Sequence, residues 1–502
     1  MSKNNSSLFR YLTNSINRKI VHIQYIFILT LASCLPSALY AQDCPQDGYS
    51  FYTGTDVGAY IQNYVNCTEI IGDVYINLNV FDDLFFLSQV KVIHGNLTIF
   101  SCTSLVDLTG LDNLIEVSGH LEINFNYDLV SLKGIEQLQR IGGSLVIKDN
   151  TQIKNIAEFQ KLQQVGGDIN IRNNDLLESI TGLQRIKQIN GYLAVWYHKN
   201  LINLDGLDSI KTIATGLDIS RNDQLRNIEG LSQLKRVDGN VLIATNDSLR
   251  SFNGLNSLES IGGDFILRFN DSMTDLKGLE SLVEVVKTLD IVDNDLLVNL
   301  QGLNALEFVG EDLDIRYNRS LTDLSGLEAL KSTGLESILI VNNISLTNLI
   351  GLEAINLRGI PEIIIENNIT LDDCAVQSVC DFLSYCGDLK VANNGVFCST
   401  IFEVETVCQG KDNIDFSYNC DIQVFPNPTE QYLNISIENR DAHGVDYEIL
   451  DQLGRRIQYY STLQSEALDQ IDVSFLPVGV YSLRLSSFKF SRVVRFVKCT
   501  GK

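Results

Sequence analysis

Cysteine and histidine carry the most obvious chemistry in this chain of 502 residues, and their placement decides what that chemistry is. Cys44 and Cys67 stand near the start, while Cys374, Cys380, Cys386, Cys398, Cys408 and Cys420 crowd one segment near the end. A cluster of six could hold zinc. Yet there is no Cys-x-x-Cys pair, and His22, His94, His120, His198 and His443 are scattered. The spacing favours disulfides formed in an oxidising compartment, and among the six C-terminal cysteines fifteen pairings stay open. Asp175, Asp223, Asp247, Asp271 and Asp295 recur at 24-residue multiples, a spacing that could collect oxygen ligands for Ca²⁺. Closing Asx turns is the favoured role, because Tyr127, Thr151, Lys199 and Arg319 hold the same position elsewhere. No cofactor is expected.

Catalytic signatures are missing. The chain has no HExxH, no GxSxG and no phosphate loop, so the expectation is a protein that is not an enzyme. Trp196, the only tryptophan, stands with Tyr192 and Tyr197 in one short segment, where His198 also interrupts a column of asparagines. Aromatic side chains of this kind supply rigid amphipathic area for a protein or sugar ligand. With Arg172 and Asp218 one period to either side, they form the candidate ligand patch.

The element that must position these residues is a repeat. Gly-x-Leu-x-Ile-x-x-Asn-x-x-Leu-x-x-Leu-x-Gly-Leu returns every 24 residues, with its first strand position at Leu97, Leu121, Leu145, Ile169, Leu193, Leu217, Val241, Phe265, Leu289 and Leu313. Looser copies follow at Ile338, Ile363 and Leu389, and Val74 opens the series. One such unit cannot bury its apolar face alone, so copies must stack into a mainly β solenoid of about fourteen coils, on the order of 60 Å long. Within Leu-x-Ile the outer residues point inward and the middle one outward. Three residues past the Ile, Asn126, Asn150, Asn174, Asn222, Asn246, Asn270, Asn294 and Asn318 can donate and accept at once. They are therefore structural, and Cys102 holds their column as a buried thiol. The outward positions form two columns of mixed charge, one with Glu122, Asn170, Ala194, Asp218, Asp290 and Asp314, the other with Lys148, Arg172, Trp196, Ser220, Arg268 and Arg316.

Segments at both ends speak of export. Lys3, Arg10, Arg18 and Lys19 precede an apolar run from Tyr25 to Ala41, the layout of a secretory signal over 1–41. Leu31-Ala32-Ser33-Cys34 also fits a lipobox, which would leave lipid on Cys34. A net charge of -24 argues against nucleic acid or an anionic membrane as a partner, and no membrane insertion of the mature chain is expected. The reading divides the rest into an N-terminal cap at 42–72, a leucine-rich solenoid at 73–395, a cysteine-rich C-terminal cap at 371–420 overlapping the last coils, and a further domain at 421–502. Disulfide-stapled caps would cover the open apolar ends of the stack.

In that last domain Val424-Phe425-Pro426-Asn427-Pro428, Leu433-Asn434-Ile435, Tyr447-Glu448-Ile449, Asp451-Gln452-Leu453-Gly454-Arg455 and Leu476-Pro477-Val478-Gly479-Val480-Tyr481 predict a small β-sandwich of short strands. The ordered set resembles the C-terminal sorting domain of type IX secretion cargo. That resemblance implies engagement with the secretion machinery, passage across the outer membrane, and a cell-surface or extracellular location. Cys499-Thr500-Gly501-Lys502 extends past the expected Phe496-Val497-Lys498 ending. Asn66-Cys67-Thr68-Glu69-Ile70-Ile71-Gly72-Asp73-Val74-Tyr75-Ile76, followed by the Gly-x-Leu-x-Ile rhythm, resembles the receptor L domain over about 60 to 395. The functional expectation is an exported surface binding or adhesion protein that recognises a glycan or protein on its sheet face. A structural surface-layer or matrix component is the alternative, and a β-helical polysaccharide-active enzyme a more distant one.

Overall fold

A computed structural model describes residues 44–331, 334–384, 388–410, 422–437, 446–452, 454–461, 470–486 and 491–499. The signal segment, Cys386 and Cys420 lie outside the described residues. The repeat folds as a solenoid whose front is one parallel sheet of fifteen strands in strict chain order, from Tyr49–Phe51 to Asp388–Ala392. It gains a strand over the fourteen coils because Tyr49–Phe51, in the segment before the first coil, pairs in parallel with Val74–Ile76. Neighbouring strands align without slip, as Leu193 on Leu217 and Val195 on Ile219. The alternation in the sequence dictates this register, because a slip of one residue would carry every Leu and Ile to the solvent side.

Opposite the front lie two ribbons of two-residue strands, one of five from Glu69–Ile70 to Gln164–Val165 and one of six from Gln188–Ile189 to Phe308–Val309. Between front and back the repeat leucines and isoleucines are sealed, with Leu121, Ile123, Leu217 and Ile219 all at 0% exposure. The corner glycine admits no side chain: Gly134 has φ +116°, and a Cβ there would sit 2.0 Å from the Leu108 carbonyl oxygen of the previous coil.

The asparagine ladder links coil to coil through the core. Asn246 Oδ1 accepts from the Asn222 backbone N–H at 3.1 Å, while its Nδ2 donates to the Ile219 carbonyl at 2.9 Å. The residue before each ladder position adopts a left-handed backbone, from Ser101 at φ +53° to Asn393 at φ +56°. Cys102 holds the ladder position as a free buried thiol, accepting from the Leu78 N–H at 3.4 Å and donating to the Ile76 carbonyl at 3.5 Å.

The ends are stapled. Cys44 bonds Cys67 beside the helix Gly54–Tyr64, which starts on a Thr53–Asp56 capping box and packs Tyr60 against Tyr49 and Phe51. At the other end Cys374 bonds Cys398, and Cys380 of the helix Gln377–Ser384 bonds Cys408 of the helix Ile401–Gln409. The domain near the C-terminus holds an antiparallel three-stranded sheet and an antiparallel four-stranded sheet. Leu433, Ile435, Tyr447, Ile449, Ile471, Leu483, Leu485 and Phe496 form its core. Among the described residues no helix is long and apolar enough to cross a membrane.

Candidate functional site

The strand Tyr192–Trp196 lies between Ile169–Arg172 and Gly216–Ser220, with Arg172 directly opposite Trp196 and Ala194 opposite Asp218. Parity sends Leu193 and Val195 into the core and leaves Tyr192, Ala194 and Trp196 on the front. The register thus brings four of the candidate residues, Tyr192, Trp196, Arg172 and Asp218, onto one face across three coils. The Arg172 guanidinium stands 5.4 Å from the centre of the Trp196 ring, within cation–π range. Tyr192 lays its ring over Gly216, where a Cβ would fall 2.6 Å from the ring edge. Burial, and then the nearby Asp218 carboxylate, push the Tyr192 phenol up to about 12. Burial also raises Asp218, against the Ser220 hydroxyl that donates to it at 2.6 Å.

Tyr197 leaves this face. Alternation alone would point it inward, but its φ of +66° swings it out at the turn. Its ring meets Trp196 edge to face at 6.3 Å and is 43% exposed. There, with Lys199, Arg221, Asp223 and Thr245, it lines a groove of about 260 Å³, and the Arg221 guanidinium stands 5.9 Å from its ring centre. The candidate patch is therefore two connected surfaces, one on the sheet and one around its edge. Arg221 and Thr245 escaped the sequence reading, which followed strand parity and had no reason to place the turn column outside. A signal was present: Asn or Asp, the types most tolerant of a left-handed backbone, recur in that column at Asp149, Asn173, Asp293, Asn342, Asn367 and Asn393.

Asn170 lies on the same strand as Arg172, directly opposite Ala194. Eight buried side-chain polar atoms among the described residues lack a hydrogen-bond partner, and three of them, Asn170 Oδ1, Arg172 Nε and Asn173 Oδ1, fall in this one coil. Buried polar atoms are nearly always paired, so among the described residues this coil departs from the rule more than any other.

His198 substitutes for the ladder asparagine group by group. Its Nδ1 takes the Asn174 N–H at 3.3 Å, and its Nε2 faces the Ile171 carbonyl at 3.0 Å, the pattern of Oδ1 and Nδ2 in Asn. This network assigns the neutral tautomer with the proton on Nε2. Full burial depresses its pKa to about 4. It is a structural member of the core.

The aspartate column behaves differently from expectation. Asp175 pairs with Lys199 at 2.7 Å and Asp295 with Arg319 at 3.5 Å, and the described structure shows no Asx-turn bond from the five aspartates. The reason is that the backbone already closes the corner, with the Leu249 N–H donating to the Asn246 carbonyl at 2.9 Å. Among the described residues no three His, Cys, Asp or Glu side chains gather as a metal site. Farther along the front, Arg268 pairs with Asp290 and Arg316 with Asp314, which neutralises the outward columns there.

With this geometry in place, comparison with known families separates the two parts of the chain. Residues 423–498 match the secretion system C-terminal sorting domain. Residues 66–133, at the start of the solenoid, match the receptor L domain. No curated protein and no solved structure matches the chain. The sorting domain implies interaction with the type IX secretion machinery and delivery to the cell surface or extracellular space. Its matched span ends at Lys498, and the Cys499 N–H just beyond donates to the Thr429 carbonyl at 2.9 Å.

Proposed function

We propose that this exported protein acts by binding, holding an extracellular glycan or protein ligand at the coil that carries Tyr192, Trp196 and Tyr197. One observation carries the reading: the strand register sets Arg172 against Trp196 on the sheet face, and the turn beside them opens the groove lined by Tyr197, Lys199 and Arg221. Aromatic faces next to charged and hydroxyl side chains suit a ligand with both apolar surface and hydroxyl or amide groups. The receptor L domain match supports a solenoid built to present its sheet. Catalysis is not part of the proposal, since the acids stand one per coil along columns instead of converging on one spot.

The test is a screen of the full exported chain on arrays of glycans and extracellular-matrix proteins, with each hit repeated for Trp196→Ala and Arg316→Ala. Loss with the first alone supports the site. Equal loss with both, or no hit, favours a structural surface-layer role, the second reading, which the paired charges of Arg268–Asp290 and Arg316–Asp314 would suit.

A further inference from the structure

Between Glu69 and Val309 the ribbon of short strands on the back of the solenoid is interrupted at one place. Backbone bonds run along it in steps of one coil, with the N–H groups of Ile115, Gln139 and Gln163 donating to the carbonyls of Lys91, Ile115 and Gln139. They resume with Lys211 to Lys187 and Lys235 to Lys211. No such bond joins residue 187 to 163. The parallel series, Gly166 to Ile141 and then Ala214 to Ile189, stops at the same junction. This is where the five-stranded ribbon ends at Gln164–Val165 and the six-stranded one begins at Gln188–Ile189. The front sheet stays paired across the two coils.

A cleft of about 680 Å³ lies over this break. Its lining holds five amide side chains, Gln164 and Gln188 among them, together with Arg185, Lys187 and Val165. No carboxylate lines it, although acids outnumber bases 62 to 38 in the chain. Arg185 and Lys187 form no ion pair with any described residue, and neither does Lys211 one coil on; Lys235 beyond it is taken by Glu259 at 3.4 Å.

We propose that this cleft binds an acidic saccharide chain, independently of the front patch. Gln184 accepts from the Gly182 N–H and Gln188 donates to Asn190, both at 2.9 Å, while the side chains of Gln163 and Gln164 keep donor and acceptor for neighbouring hydroxyls on a sugar ring. Arg185 and Lys187 at the cleft, with Lys211 one coil on at its edge (~4.8 Å between coils), suit an anion that also repeats. A peptide would look for apolar side-chain pockets, and the one apolar residue of the lining, Val165, is buried. A nucleic acid would look for aromatic stacking, and the lining has none. The high net negative charge confines attraction to short range, so binding depends on seated contacts and weakens with salt.

Calorimetric titration of the full exported chain with oligogalacturonate, and with the same oligosaccharide methyl-esterified, tests this. The acid form binds, and esterification or the double substitution Arg185→Gln with Lys187→Gln weakens it about tenfold or more. Lys287→Gln with Lys331→Gln removes the same charge from cations already paired to Glu311 and Glu307 and leaves affinity within about twofold. Trp196→Ala leaves it unchanged, which separates this site from the front-face reading. No binding of either oligosaccharide, equal loss with both double substitutions, or stronger binding of a glutamate-rich peptide would overturn the proposal.

Discussion

At the level of single residues, coil 192–198 breaks the pattern of its neighbours, and its departures have separable consequences. Trp196 lies outward on the sheet, so Trp196→Ala should cost about 2 kcal/mol of ligand binding, near thirtyfold. Thermal stability should move little, because the indole is not part of the core; a large fall in melting temperature would contradict this. His198 acts on stability. Folded protein keeps it neutral down to about pH 4, whereas the unfolded chain protonates it near the ordinary value of 6.5. Protons therefore favour the unfolded state between these values. Its contribution is intact above pH 6.5 and falls by up to about 3 kcal/mol as pH drops towards 4. His198→Asn restores the ladder amide and should flatten this limb of the stability profile, read by denaturant unfolding from pH 4 to 7. An unchanged profile would show that His198 does not titrate as its burial implies.

Elements are held by the ladder inside and the staples outside. Asn246→Ala would strip the Asn222 N–H and the Ile219 carbonyl of their partners in a sealed core. A loss of about 2 to 4 kcal/mol follows, since each buried group left unpaired costs about 1 to 3 kcal/mol. Asp247→Ala next to it, a largely exposed carboxylate that partial desolvation and then the like charges of Asp271 and Asp223 hold above its usual range, should be neutral or slightly stabilising. Comparing the two in urea measures the ladder directly. The disulfides Cys374–Cys398 and Cys380–Cys408 bracket the last front strand, Asp388–Ala392. Reduction should cost about 2 to 5 kcal/mol per bridge, with hydrogen exchange rising first in that strand and spreading back along the stack. Uniform exchange along the whole solenoid would contradict this end-first order.

On the scale of the whole molecule, stability and address belong to different cores. The solenoid core runs from Phe51 to Cys408, and the sorting domain has its own, centred on Leu433, Tyr447 and Phe496. Deleting residues 421–502 should therefore leave a solenoid with an unchanged melting temperature that no longer reaches the cell surface. Fractionation of cells expressing the truncated chain, with circular dichroism of the retained protein, checks both halves. Normal surface delivery would refute the role of the sorting domain.

Strand, turn and core positions were legible in the chain because a stacked repeat presents each environment many times over. Leu217-Asp218-Ile219 states its own facing, and the repeated Asn states the need for a donor and an acceptor at one buried corner. The sorting domain was legible for another reason, as an ordered series of short motifs. Tertiary structure decided what the repeat could not state. The left-handed turn at Tyr197 and Arg221 carries their side chains off the sheet and into a groove, against simple parity. Backbone bonding, and not the aspartate side chains, closes the corners. The break in the back ribbon between Val165 and Gln188 has no signature in a period that stays at 24 residues across it. A periodic sequence specifies what every coil shares, whereas sites arise where two coils meet differently, and that depends on contacts between residues one coil apart.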